Sequence, residues 1–586
     1  MKKYGLIIIG SICCSFSLAD AQMSSEPCVP CQEVPTLMQQ YKADYQQLFS
    51  FYSPHIGNYF VAKNTTEVKG ASEEKLQRLR KCNEVYLQKI EQLSFSKLPQ
   101  ECKVDYILFK RNLEEVNQEI DETLHTYQDL KSAFTFEDII YDLGKTRRRG
   151  DSFSYEKKAY QFDSIAKVLN NNVTILNQKK LSLAELKVAE AKVNDIETTI
   201  EWVDNFYKGY QPMYSWWMKT PVVALMDGLK SFQTKILENE KAYQFHDGSG
   251  IVGMPIGREE LMNQLKFEMI PYSPEELIDQ ANKEFAWCDQ EMLKASKEMG
   301  FGLDWKKAVE KVKNSYVPVG EQPQLINDLY QQSIDFVKKH DMVTIPPIAE
   351  ETWGMDMMPP ERQRINPFFT GGNEITISYP TDNMSESDKL MSMRGNNPHF
   401  SRSTVFHELI PGHNLEFYYM RRNRTYRDYS TPFWVEGWSL YWELLLWDKQ
   451  FPRGPEDRIG MLFWRMTRCA RIIFSLNYHL GKWSPQQCID YLVDRVDYER
   501  ANAEGEVRRS FEGSYSPLYQ VGYLVGGQQI LALKKDLVDK GEKMSLKQFN
   551  DAVMQLNAMP IEMVRAILKG EKLTANYKTN WRFYDK

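Results

Sequence analysis

The chain has 586 residues, enough for one large domain or several ordinary ones. Hydrophobic residues at 42% and charged residues at 26% exclude a disordered chain, and 13% aromatics suffice for a large core or a long aromatic-lined cleft. Lys and Arg total 73 against 79 Asp and Glu, a net charge of −6 with the signs mixed, so no basic footprint for nucleic acid is expected.

Residues 1–21 read as a cleavable export signal. Lys2 and Lys3 supply the positive start, Gly5–Ala19 is a mostly apolar run, and Ala19-Asp20-Ala21 offers a small-x-small cleavage site before Gln22. The run is short for a membrane span, and Gly10-Ser11-Ile12 is a poor lipobox before Cys13. The expectation is therefore an exported protein, periplasmic or extracellular, with no transmembrane segment in the mature chain; lipid anchoring is the weaker alternative. Of nine cysteines, seven remain after cleavage. Cys28-Val29-Pro30-Cys31 suggests a local disulfide or two loose thiols, and Cys82 and Cys102 stand near the ends of adjacent predicted helices, where they could bridge.

From about Glu73 to Tyr210 the chain is a succession of predicted amphipathic helices. Leu76, Leu79, Cys82, Tyr86, Ile90 and Leu93 recur at three and four residues, and Leu186, Val193, Ile196, Ile200 and Val203 repeat the pattern. A helical lobe over 22–250 follows, closed by the Gly-rich break at Gly248-Ser249-Gly250. Residues 251–586 form the second lobe, both expected within one continuous fold. There, a Pro-rich segment runs from Ile345 to Pro367, and Glu374 to Tyr379 alternates as a short strand. Helical patterns resume near Ser401. The fold class is mainly α with a small β element.

The densest cluster of metal-ligating residue types is His407-Glu408-Leu409-Ile410-Pro411-Gly412-His413. A helical HExxH places two imidazoles on one face because residues four apart share it, with the Glu free to act as base. Here the second His falls six residues on, about 240° around a regular helix, so unbroken helix cannot bring both to one ion. Pro411 cannot donate to the carbonyl of His407, and Gly412 bends freely, so a bulge there could bring His413 back round. The alternative is a helix that ends at Ile410 with two unrelated imidazoles. Ser430-Thr431-Pro432 then opens an apolar helix in which Glu436 and Glu443, seven apart, share a face. A carboxylate so placed needs a partner, and either could be the third ligand. Trp434, Trp438 and Trp442 on the same helix form a core stripe.

The series His407 to His413 followed by Glu436-Gly437-Trp438-Ser439-Leu440-Tyr441 resembles the bacterial domain of unknown function 885 family, whose hallmark is HExxPGH followed by EGWxLY. Arg471 to Leu492, Arg508 and Leu518-Tyr519-Gln520-Val521-Gly522 fit further stretches. The resemblance implies a helical zinc metallopeptidase with a central cleft, similar in arrangement to angiotensin-converting enzyme and carboxypeptidase Taq. It implies His407, His413 and Glu436 as zinc ligands and Glu408 as base. It implies His479 and Tyr519 as oxyanion donors, and Arg508 as anchor for a substrate carboxylate. Asn414 stands where the family often has a His, and Ser475 where an Asp is common.

The functional expectation is an exported zinc-dependent hydrolase of peptide or small amide substrates. The alternative is a non-catalytic exported protein that captures peptides or glycan fragments.

Overall fold

The computed structural model describes residues 31–52, 68–178, 180–363, 368–427, 429–512, 515–541 and 543–584. The export signal, Cys13, Cys14, Cys28 and the expected start at Gln22 lie outside the described residues. The first helices are α1 Glu33–Tyr52, α2 Glu73–Glu91, α3 Gln100–Leu130, α4 Glu137–Arg149, α5 Tyr155–Gln178, α6 Leu183–Tyr207 and α7 Pro212–Glu240. Local chemistry starts them where it should. Ser72 caps α2 by accepting from the Lys75 N–H, and Ser182 with Glu185 forms a reciprocal capping box on α6.

The second half comprises α8 Gly257–Phe267, α9 Pro274–Glu298, α10 Trp305–Lys313, α11 Gln322–Lys339, α12 Pro347–Glu351, β1 Gly354–Met357, α13 Pro360–Gln363, β2 Glu374–Ile377 and α14 Glu386–Gly395. It continues through α15 Pro398–Glu408, α16 His413–Met420, α17 Pro432–Asp448, α18 Pro455–His479, α19 Pro485–Val496, α20 Arg500–Phe511, α21 Tyr519–Lys534, α22 Leu546–Gln555 and α23 Ile561–Lys569. The protein is mainly α with one small β element. The expected strand is β2, and it pairs in parallel with β1, Gly354 opposite Glu374 and Met357 opposite Ile377. Helix returns earlier than expected, because Ser385 and Asn397 cap α14 and α15 ahead of Ser401.

Two arrangements of apolar side chains organise these helices. Residues 127–236 enclose their own interior, built from Leu143, Ile165, Val193, Leu225 and Phe232. Helices α1 to α3 instead share a core with Val405, Trp438, Trp442 and Ile530 of the second half. Arg427 binds Asp105 at 2.7 Å, Arg424 binds Glu101 at 2.7 Å, and Gln100 donates to the Ala566 carbonyl at 2.9 Å. The chain before residue 250 is thus sewn into the chain after it.

One cysteine expectation is corrected. The disulfide joins Cys31 to Cys102, 71 residues apart, while Cys82 is a buried free thiol. Closing a loop of that length stabilises the folded state by roughly 4 kcal/mol in the chain-entropy picture. Neither the Cys28–Cys31 bridge nor the Cys82–Cys102 bridge forms, because α1 brings Cys31 onto the start of α3.

Candidate metal centre

The site begins with a helix that stops. Asn397 caps α15, accepting from the His399 and Phe400 N–H groups, and Pro398 occupies its first turn. The helix ends at Glu408, where Leu409 turns to φ −102°, ψ −125°. Pro411 follows, and the Ile410–Pro411 peptide is cis. Gly412 then passes so close to the preceding turn that a Cβ there would lie 1.9 Å from the His407 carbonyl oxygen. Only glycine fits. Its N–H donates to the Phe406 carbonyl at 3.0 Å, and the Asn414 N–H reaches the Leu409 carbonyl at 3.1 Å.

The carbonyls freed by the break are met from neighbouring helices. Ser439 donates to His407 O at 3.0 Å, Trp438 Nε1 to Pro411 O at 3.0 Å, and Ser333 to Ile410 O at 2.9 Å. Every carbonyl so rescued is one that a buried break would otherwise leave orphaned. The consequence is that α16 starts at His413, whose ring lies 4.9 Å from that of His407 and perpendicular to it. The interrupted helix therefore does bring the two imidazoles together; they are not unrelated.

Helix α17 supplies the carboxylates. It starts at Pro432 under a Thr431 cap, as its sequence predicts. Its approach to α21 is backbone on backbone, since a Cβ on Gly437 would meet Gly526 Cα at 2.8 Å. That contact sets Glu436 beside Tyr519 and Tyr523. Glu436 Oε2 lies 3.4 Å from His407 Nε2 and 3.3 Å from His413 Nε2. It is buried, and it has ion-pair distances to both nitrogens but a hydrogen bond with neither. His407, His413 and Glu436 offer ligand atoms all within 4.8 Å of one another, the one such group of His, Cys, Asp and Glu among the described residues.

Glu443 stands one shell out. Its Oε1 takes His407 Nδ1 at 2.8 Å and the Arg468 guanidinium at 2.9 Å. Glu416 Oε2 holds His413 Nδ1 at 3.2 Å. Both imidazoles thus have their Nδ1 side fixed by a carboxylate and their Nε2 side turned inward, which sets tautomer and ring orientation for a ligand. Arg468 and Arg471 flank the cluster from α18, with guanidinium carbons 4.7 and 4.5 Å from the Tyr523 ring.

The charges follow from these contacts. Burial opposes ionisation of Glu436, but His413 and then His407 hold its carboxyl well below the ordinary range. Burial also opposes Glu443, and Arg468 and His407 outweigh it. Burial pulls the two imidazoles down, yet Glu436 with Glu443 lifts His407, and Glu436 with Glu416 lifts His413 further. Burial pushes Glu408 up, partly offset by the imidazoles, and pushes Glu416 up to about 7. Glu408 is half-buried, and Gly371 leaves room for it: a Cβ there would lie 2.2 Å from Glu408 Oε2. Asn414 donates to the Asn373 carbonyl at 3.0 Å and so ties that loop to α16.

Tyr519 also meets the cluster, its hydroxyl donating to Glu436 Oε1. His479 does not. It ends α18 against Tyr478 and Phe511, at 5.0 and 5.8 Å between ring centres, and burial alone lowers it to about 4. Arg508 is engaged elsewhere, with Glu512 at 2.8 Å and the Ser249 carbonyl at 3.0 Å. The residues missed by the sequence reading are Glu416, Arg468 and Gly371. Glu416 had a signal in its place three residues after His413, on the same helical face.

A hollow of about 750 Å³ shares no residue with this chemistry and lies on an open groove lined by Glu114, Asp121, Glu122 and His125. Burial and convergence of donors, not that groove, mark the site.

A search of curated proteins finds no match. Among solved structures the chain is similar to "a putative lipoprotein of unknown function" from Shewanella oneidensis, with TM-score 0.68 and 16% identity over 92% of this chain and all of that one. It is similar also to "the putative lipoprotein" from Colwellia psychrerythraea, with TM-score 0.55 and 16% identity over 92% of this chain and 98% of that one. These likenesses show a shared fold. The family profile described as "Bacterial protein of unknown function (DUF885)" matches residues 55–568, and the chain belongs to that family.

Proposed function

We propose that the protein is an exported zinc-dependent hydrolase of peptide or small amide bonds, with a zincin-like arrangement and a substrate cleft leading to the cluster. The observation that carries the reading is Glu436 Oε2, buried without a hydrogen bond and met by two imidazole nitrogens whose far sides are clamped by carboxylates. Two nitrogens and one carboxylate oxygen are a donor set suited to zinc with an open position. His407, His413 and Glu436 would hold the ion, leaving Glu443 and Glu416 as orienting partners. When bound, zinc supplies Lewis acidity to water and to the substrate carbonyl.

The chain's own groups do the rest. Glu408 adjoins a ligand without belonging to the ligand set, so its carboxylate can take the proton of the attacking water. Burial lifts its proton affinity, which suits a group that must accept that proton and return it. The water oxygen bonds to the carbonyl carbon, the C–N bond breaks, and the proton passes from Glu408 to the leaving amine. Tyr519 carries a donor beside Glu436 that can turn to the developing oxyanion. His479 as a second donor rests on the family resemblance alone. Export rests on Ala19-Asp20-Ala21, and a mature N-terminus at Gln22 checks it.

Elemental analysis of the purified chain tests the metal. The expected result is one zinc per chain, removed by chelator and absent from His413→Ala. Full zinc in His413→Ala with loss in Glu443→Ala would overturn this ligand set. A peptide-library digest tests the reaction. Zinc without cleavage would favour the binding-protein alternative.

A further inference from the structure

We infer that one end of the helical lobe, where the start of α5, the end of α6 and the start of α7 meet, docks on a membrane surface carrying anionic phospholipid. Exposed aromatic side chains are concentrated there. Five aromatic residues are exposed among the described ones, and four of them, Tyr160, Phe206, Tyr210 and Trp216, stand at this end. Trp216 is 79% exposed, Tyr210 78% and Tyr160 64%. Met213 and Val223, also exposed, extend the strip along α7, being three residues before Trp216 and seven after it.

The residues are neighbours in space. Helices α5 and α7 run side by side in the same direction, with Tyr155 5.8 Å from Tyr214 and Tyr160 6.3 Å from Trp217. Phe206 lies 6.4 Å from Tyr210 across the α6–α7 turn. Beneath them Tyr207 and Tyr214 stack at 5.0 Å within the lobe's own core. The outer rings are therefore not needed to close the fold, and an apolar patch left in water without a packing reason marks an interaction site.

Charge says what covers it. Lys157 precedes Tyr160 by three residues and Lys219 follows Trp216 by three, so each lysine shares a face with an exposed ring. The Arg147 guanidinium lies 3.9 Å over Phe206 and 4.1 Å over Trp202. Three arginines at 147–149 with Lys157, Lys208 and Lys219 outnumber Asp151, Glu156, Glu201 and Asp204 at this end. Amphipathic rings flanked by long cationic side chains suit the bilayer interface, with the rings at headgroup depth and the cations at the phosphates. A second copy of the chain fits worse, because it would set these cations against one another.

Co-sedimentation with vesicles tests this on the full mature chain. Wild type is expected to pellet with phosphatidylglycerol–phosphatidylethanolamine vesicles at low salt and to stay in solution with phosphatidylcholine. Raising the salt should release it. Trp216→Ser with Tyr210→Ser should abolish binding, and Lys157→Gln with Lys219→Gln should weaken it by roughly tenfold. Both variants change exposed positions, so thermal melts should match wild type. Wild type left in the supernatant with anionic vesicles would overturn the inference, as would full binding by the aromatic variant. Concentration-dependent dimers of wild type that Trp216→Ser with Tyr210→Ser dissolves would assign the patch to a second copy instead. None of these readouts depends on the hydrolase reading.

Discussion

The lobe of residues 127–236 and the half of the molecule around the cluster are built from the same amphipathic helices, yet they bury different things. The lobe's interior is mostly Leu, Ile, Val, Phe and Tyr, with charge admitted as the pair Lys192–Glu137 at 3.0 Å. The other half buries His407, His413, Glu416, Glu436, Glu443, Arg468, Arg471 and Glu506. Taking ionised groups out of water costs several kcal/mol each unless partners compensate, and apolar replacements of a whole buried network are often as stable or more so. A fold selected for stability alone would look like the lobe. The charged interior is where the proposed site lies, held in place by helices that could be more stable without it.

The sharpest break of this contrast is Glu408→Gln. It removes a half-buried carboxylate outside the proposed ligand set, so fold and metal should survive while hydrolysis falls by about 10²–10⁴. Peptide-library mass spectrometry with zinc analysis checks this, and undiminished cleavage would remove Glu408 from the mechanism.

A glycine in each region sharpens the comparison next. Gly412→Ala would drive a Cβ onto the His407 and Phe406 carbonyls at 1.9 and 2.6 Å, and backbone cannot step aside as a side chain can. We expect a loss of roughly 3 kcal/mol or more and no stoichiometric zinc. Gly144→Ala in α4 meets only the Thr199 methyl at 3.2 Å, and helix propensity then favours Ala by up to about 1 kcal/mol. Thermal melts of the two should separate them plainly. A Gly412→Ala protein that melts and loads zinc like wild type would mean the break tolerates more than its geometry implies.

Acid should find the charged half first. Glu506 binds Arg471 at 2.7 Å, and although burial opposes its ionisation, Arg471 and Arg509 hold its carboxyl down at about 2 against an ordinary 4.5. Its contribution is complete above the unfolded value and drains away as pH falls from about 4.5 towards 2, by linkage of protonation to folding. Glu506→Gln, which leaves buried guanidinium groups unmatched, should destabilise by roughly 3 kcal/mol at neutral pH. Its denaturation midpoint should also lose the steep acid limb expected of wild type. An unchanged acid limb would place that titration elsewhere.

The ease of reading differed between the regions for a physical reason. Helices with a one-sided apolar stripe declare themselves in any window of the sequence, and so did the Thr431-Pro432 start and the helix break at Pro411-Gly412. Strand β1 did not, because Gly354-Met355-Asp356-Met357 lacks both β-branched residues and alternation, and gains its pairing only from β2. The Cys31–Cys102 bridge was equally hidden, since no local pattern encodes a contact across 71 residues. Glu443 and Glu436 were equivalent on the helix surface. Arg468 and His407 Nδ1 at Glu443, against Tyr519 and the two Nε2 atoms at Glu436, tell them apart, and all come from other helices.

Arg508 is the smallest test and bears on one specific expectation. The resemblance made it an anchor for a substrate carboxylate, but its guanidinium joins Glu512 across one helical turn and ties down the Ser249 carbonyl. Glu512 in turn accepts from the Val252 N–H at 3.1 Å, so the pair pins the loop that joins the two lobes. An exposed ion pair of this kind is worth about 0–1 kcal/mol, and its loss should be felt in that loop rather than at the cluster. Arg508→Ala should therefore melt within a few degrees of wild type and show faster proteolytic nicking near residue 250. KM for peptides with a free carboxyl terminus and for their amides should shift together, by less than about twofold. A selective rise in KM for the free acids would return Arg508 to the substrate. It would then mean that Glu512 releases the guanidinium when peptide enters.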